Sequence, residues 1–168
     1  MNDKRTILRH FLAAIAYRTQ KALRDAPDSF GAFQAGQQVR TPVDLVRHMT
    51  SVLGYARTFF VGGRYRAEPL PDLTAEVTRF HETLEDLARH LTAGTELRGT
   101  TEERLLQGPF ADAMTHAGQL AMLRRLAGSP VPPENFIEAA VDPANLGSRQ
   151  SEPVSPDVIW PEAPRPAV

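Results

Sequence analysis

Asp112 and His116 stand four residues apart in a run that is otherwise patterned as a helix. On an α-helix that spacing stacks two side chains on one face with Cβ atoms roughly 5 to 6 Å apart, so a carboxylate and an imidazole can close on one metal ion. A third ligand must then come from another helix, and His48, on the apolar side of the second helical segment, is the candidate. Two histidines and one carboxylate leave coordination positions open on a divalent metal, which separates a catalytic site from a closed structural one. Zinc is the first expectation, with nickel or iron accepting the same donors. The reactive group would be a water or thiolate held by the metal, and no separate general base stands out.

Other residues near this set invite supporting roles. Gln119 follows His116 by three positions on the same face and can orient it. Tyr55, seven after His48, can present its hydroxyl to the same cavity, although ordinary packing explains it equally well. His81, after apolar Phe80, lies at the margin of the third helix, where it serves either behind the ligands or as a boundary histidine. His10 and His90 fall between apolar positions and read as solvated. Arg124 and Arg125, at the end of the fourth helix, meet the negative end of its dipole, a structural reason stronger than any anion-binding role.

Four apolar-periodic segments would position these residues. The first, from Asp3 to Leu23, repeats at three and four through Ile7, Leu8, Phe11, Leu12 and Ile15. A connection from Pro27 to Arg40 follows, pinned by Phe30 and Phe33. Thr41-Pro42 is a strong helix start, and Gly62-Gly63 is its stop. The inward stripe of this second helix reads Leu45, His48 or Met49, Val52, Ala56 and Phe59. After an Arg-rich link, Leu73, Val77, Phe80, Leu84, Leu87 and Leu91 form a heptad-like seam as in bundle packing. The fourth helix, Thr101 to Leu126, is interrupted at Gly108-Pro109, then continues through Phe110, Met114, Ala117, Ala121 and Leu126.

Nine of the fourteen prolines fall after Gly128, so no long helix is expected beyond it. The chain therefore divides into a bundle over residues 1–128 and an extended, Pro-rich C-terminal segment over 129–168. Phe136, Ile137, Val141, Leu146, Ile159 and Trp160 are too apolar for a solvated tail. They predict docking, either on the bundle or on a partner subunit, with a short helical turn over Pro133 to Ala140.

At 168 residues the chain suits one core, and it contains no cysteine. That excludes disulfides, thiolate zinc sites and a cysteine nucleophile, leaving His, Asp and Glu as metal ligands. A formal net charge of −1 gives no electrostatic footprint for nucleic acid. No segment approaches the roughly 20 consecutive apolar residues of a membrane span, and the charged, amphipathic start is unlike a signal peptide. A cytoplasmic protein without membrane or nucleic-acid partners is the expectation.

The stretch Leu106–Gly128, with its His116-Ala117-Gly118-Gln119-Leu120 element, and the histidine of the Val46–Met49 run resemble the DinB/YfiT-like family of metalloenzymes. The similarity covers Arg5 to Gly128. It implies an all-α, four-helix bundle of up-down-down-up connectivity holding a divalent metal through three side chains, and the long connection from Phe60 to Asp72 is compatible with this. His48 matches the family's second-helix ligand and His116 its last, while Asp112 stands where many members have histidine. Characterised relatives are thiol-dependent S-transferases and an isomerase that use bacillithiol or mycothiol. The resemblance thus implies a small-molecule substrate, an external low-molecular-weight thiol and a homodimer.

Two functional readings follow. One is a metal-dependent enzyme, a thiol S-transferase or a hydrolase, working through His48, Asp112 and His116. The other is a non-catalytic, stress-associated binding or scaffold protein whose metal site is structural or vestigial.

Overall fold

The structure is a computed structural model that describes residues 3–160; residues 161–168 of the C-terminal segment lie outside it. It is all-helical, with no strand among the described residues and a single isolated bridge between Glu134 and Pro156. The long helices are α1 (Asp3–Leu23), α2 (Pro42–Val61) and α3 (Leu73–Thr92). The fourth is assembled from α4 (Glu102–Leu105), a π-turn (Leu106–Phe110) and α5 (Ala111–Leu126). None is long and apolar enough to cross a membrane.

The helix boundaries follow from local chemistry. Thr41 Oγ1 accepts from the Asp44 amide, Asp72 from Ala75 and Thr101 from Arg104, each cap worth about 1 kcal/mol. Gly62 and Gly63 both take φ of 80°, a conformation that stops α2 and costs other residues strain. The fourth helix is interrupted at Gly108-Pro109 and then continues, as the sequence suggested. The turn widens to π geometry, with the Ala111 amide reaching the Leu106 carbonyl, so that the missing proline N–H and the ring are absorbed.

Ion pairs and backbone contacts fix the helix directions. Arg47 pairs with Glu76 and Arg57 with Asp86, both 29 residues apart; a constant offset makes α2 and α3 parallel. Arg5 meets Glu102 at one end of the bundle and Arg124 meets the Ala22 carbonyl at the other, so α1 runs parallel to the fourth helix. Against these, Arg9 shares a groove with Ala88 and Thr92 while Leu23 shares one with Leu73 and Val77, making α1 and α3 antiparallel. The Arg98 amide donates to the Phe59 carbonyl at one end of α2, and His48 meets His116 nearer the other. The α2–α3 crossover thus spans the length of the bundle.

The core joins Leu8, Leu12 and Ile15 of α1 to Leu45, Met49 and Leu53 of α2, Phe80, Leu84 and Leu87 of α3, and Phe110 and Leu120 of the fourth helix. The α3 seam is as read from the sequence. Elsewhere the buried faces are rotated. In α1, Ile7 is exposed and Tyr17 buried. In α2 the buried positions include Leu45, Val46, Met49, Leu53, Ala56 and Phe60, while His48, Val52 and Phe59 are half-buried on the shoulder. In α5 they are Ala113, His116, Ala117, Leu120, Leu123 and Arg124, with Met114 and Ala121 at the margin and Leu126 exposed. Buried Leu105 and Phe110 are separated by the one wide turn, and within α5 the buried sector centres on Ala113, Ala117 and Leu120.

The described part of the C-terminal segment straps across the bundle of its own chain. Tyr17 Oη donates to Glu134 Oε1 at 2.7 Å, and Lys21 Nζ lies 3.3 Å from Glu134 Oε2 while donating to the Pro132 carbonyl. Burial, then the bond to Glu134, pushes the Tyr17 hydroxyl pKa well above its usual value. Arg18 covers the Phe136 ring at 3.7 Å, and Leu146 is buried. Pro133 to Ala140 does not form the expected helical turn. The Glu134–Pro156 bridge holds it extended and a turn at Asn135 to Glu138 points Ile137 outward, 89% exposed, as is Ile159 at 91%.

Candidate metal centre

α2 and α5 pack against each other, and their shared rim carries the three residues singled out by type and spacing. One donor atom from each of His48, Asp112 and His116 lies within 4.8 Å of the others. His116 Nε2 is 3.2 Å from Asp112 Oδ1, the consequence of their four-residue spacing on α5. The His48 and His116 rings meet edge to face, centroids 4.8 Å apart. A divalent ion with bonds of roughly 2.0 to 2.2 Å sets neighbouring ligand atoms about 3 to 3.5 Å apart. The Asp112–His116 pair has that spacing already, and the His48 donor atom lies within 4.8 Å of both. Two imidazoles and one carboxylate suit a borderline ion such as zinc.

The protonation pattern is set by the surroundings. Gln119 Oε1 lies 2.9 Å from His116 Nδ1; an amide oxygen accepts, so Nδ1 is the donor there, which leaves Nε2, 3.2 Å from Asp112 Oδ1, as the nitrogen placed to ligate a metal. His48 has its pKa lowered, first by burial, then by the Arg40 guanidinium and by His116, with Asp112 opposing. It is therefore neutral near pH 7, the state a metal ligand needs. His116 is buried, whereas the Asp112 side chain is 47% exposed, so the group opens to solvent on the Asp112 side.

Gln119 is therefore where the sequence placed it. The other two supporting candidates are not part of the group. Tyr55 is 55% exposed, its ring edge against Phe59. His81 is buried on α3 and donates from Nδ1 to the Leu146 carbonyl at 2.6 Å, serving the strap, while its Nε2 is buried without a partner. His10 is exposed as expected, but His90 stacks on Phe60 and stands 3.8 Å from Asp86. Arg124 is buried and donates to the carbonyls of Ala22, Arg24 and Ser129, a joint between helix ends rather than an anion site.

Two features at the site escaped the sequence. Glu76, fully buried, accepts from Arg47 Nε at 2.8 Å, from the Leu70 amide at 2.9 Å and from Arg79, anchoring the α2–α3 crossover beside His48. That crossover closes a cavity of about 200 Å³ lined by His48, Arg47, Ser51, Arg66, Ala67, Glu68 and Pro69. The Arg-rich character of the link was visible in the sequence; its return to His48 was not, because it depends on the parallel α2–α3 pairing. Comparison with known protein families, curated proteins and solved structures finds no match to this chain.

Proposed function

We propose that the chain is a metal-dependent enzyme of the DinB-like kind, in which His48, Asp112 and His116 hold a divalent transition metal, zinc first, and a small external thiol is the co-substrate. The observation that carries this is the approach of three donor atoms from two helices to within 4.8 Å, with Gln119 behind one of them. The helix directions, with a long parallel crossover between α2 and α3, agree with that family's connectivity. An ion held there supplies Lewis acidity and favours the deprotonated form of a bound water or thiol.

The chain's own groups make the rest of the site. Gln119 keeps the proton on His116 Nδ1, so that Nε2 remains free to ligate. Burial and Arg40 keep His48 neutral. Asp112 contributes a negative charge that makes the ion less electrophilic than a third histidine would. Its exposure leaves room for an exogenous ligand, which favours an enzyme over a scaffold with a closed metal site. The test is a thermal-shift series on zinc-loaded protein with bacillithiol, mycothiol and glutathione. A bound thiol at about 100 times its Kd stabilises by about 2.7 kcal/mol, a shift expected for at least one thiol and absent in His116→Ala. Zinc-loaded protein indifferent to every thiol contradicts the co-substrate.

A further inference from the structure

We propose that the cavity between α2 and the α2–α3 crossover is an anion subsite, in which Arg66 attracts the carboxylate of a small ligand whose other end reaches the His48, Asp112 and His116 group. The proposal rests on the metal reading and deepens it by naming the ligand's second functional group.

His48 belongs to both places. It offers a nitrogen to the donor group and also lines the cavity, together with Ser51 and Arg66. One molecule touching the metal can therefore extend into the cavity past the His48 ring. At about 200 Å³ the space is smaller than the roughly 300 to 1,000 Å³ of pockets for drug-sized ligands, so it suits a short acid rather than a large cofactor.

The charges decide the sign of what enters. Arg47 lines the cavity, but its guanidinium is held by Glu76 and Asp44. Ser51 Oγ accepts from the Ala67 amide, which holds the crossover against α2. Arg66 lines the cavity and has no ion-pair partner among the described residues, while Arg40 lies outside the lining and its charge acts on His48. Against them stand the carboxylates of Glu68 and of Asp112 at the donor group. These charges balance, and the divalent ion of the metal reading makes the sum positive. A guanidinium fork matches a planar carboxylate with two parallel hydrogen bonds, and such a pair is stronger where a cavity wall excludes water on one side.

The experiment compares 3-mercaptopropionate with 2-mercaptoethanol, a thiol without the carboxylate, on cobalt(II)-loaded full-length protein, following thiolate-to-cobalt absorption. Wild type is expected to bind the acid about two- to fivefold more tightly, the range for one partly exposed charge pair. The preference should shrink in 0.5 M salt. Arg66→Gln should lose it, and Arg66→Lys should keep it, with cobalt affinity unchanged in both. Stoichiometric cobalt with no preference in wild type, or the same preference in Arg66→Gln, overturns the anion subsite and leaves the metal reading standing. Failure of wild type to bind cobalt overturns both.

Discussion

Gln119 Oε1 and His116 Nδ1 lie 2.9 Å apart on one face of α5, so a residue three positions away dictates which nitrogen of the histidine is free. The rest of the site's chemistry depends on that choice, because a proton on Nε2 would block ligation beside Asp112.

Gln119→Ala is accordingly expected to weaken metal binding by about 10- to 100-fold, the usual cost of losing a group that orients a ligating histidine. Gln119→Glu keeps an acceptor at the same position and should retain affinity. Competition against a chromophoric chelator measures both, and unchanged affinity in Gln119→Ala would remove the orienting role.

Gly54 lies inside α2, where alanine would ordinarily stabilise by up to about 1 kcal/mol. Here the Tyr65 ring occupies the space a Cβ would need. Gly54→Ala should instead destabilise by about 1 to 3 kcal/mol, as overpacking does, and displace the crossover that closes the cavity beside His48. Urea denaturation gives the sign, and a stabilised variant would refute the close approach.

His81 sets a pH dependence. Burial lowers its pKa, and the bond to the Leu146 carbonyl only partly offsets this. The unfolded chain thus takes up the proton near the ordinary histidine value of 6.5, the folded chain only at lower pH. Its contribution to stability is complete above 6.5 and is lost as pH falls from there toward the folded value, with a slope of at most about 1.4 kcal/mol per pH unit. His48, also lowered, acts in the same direction. His81→Gln can still donate to Leu146 without titrating, so its stability between pH 7.5 and 5.5 should fall less than that of wild type. Equal slopes would contradict the assignment.

Much of the fold was legible because its signals are local. Thr41-Pro42 and Gly62-Gly63 bound α2 at the residues expected, and the three-and-four spacing of α3 named its buried face. The faces of α2 and α5 were misjudged, since a half-apolar helix packed on two neighbours has a wide buried sector whose centre periodicity alone does not locate. The π-turn at Pro109 was unreadable for a related reason: the pattern counts residues per turn, and one turn holds an extra one. At the site, Asp112, His116 and Gln119 were visible as spacings within one helix. His48 needed a partner helix to acquire meaning, and Arg66 needed a crossover whose course only packing determines.

The strap has its own test. Glu134 is fully buried against Tyr17 and Lys21. Glu134→Ala leaves the Lys21 charge with the Pro132 carbonyl and the Phe136 ring but no carboxylate, at a cost of about 3 to 5 kcal/mol for a broken buried pair. Limited proteolysis followed by mass spectrometry should find new cleavage between residues 130 and 160. Wild-type resistance in the variant would show that the strap is held by other contacts.

The central claim is most directly tested by metal stoichiometry. Protein expressed and purified without an affinity column that carries metal, then analysed by inductively coupled plasma mass spectrometry, should hold close to one divalent transition metal per chain. His116→Ala, which keeps the helix but removes the donor supported by Gln119, should hold almost none. Metal-free wild type after incubation with zinc, or equal metal in the variant, would contradict the assignment of His48, Asp112 and His116 as a metal centre.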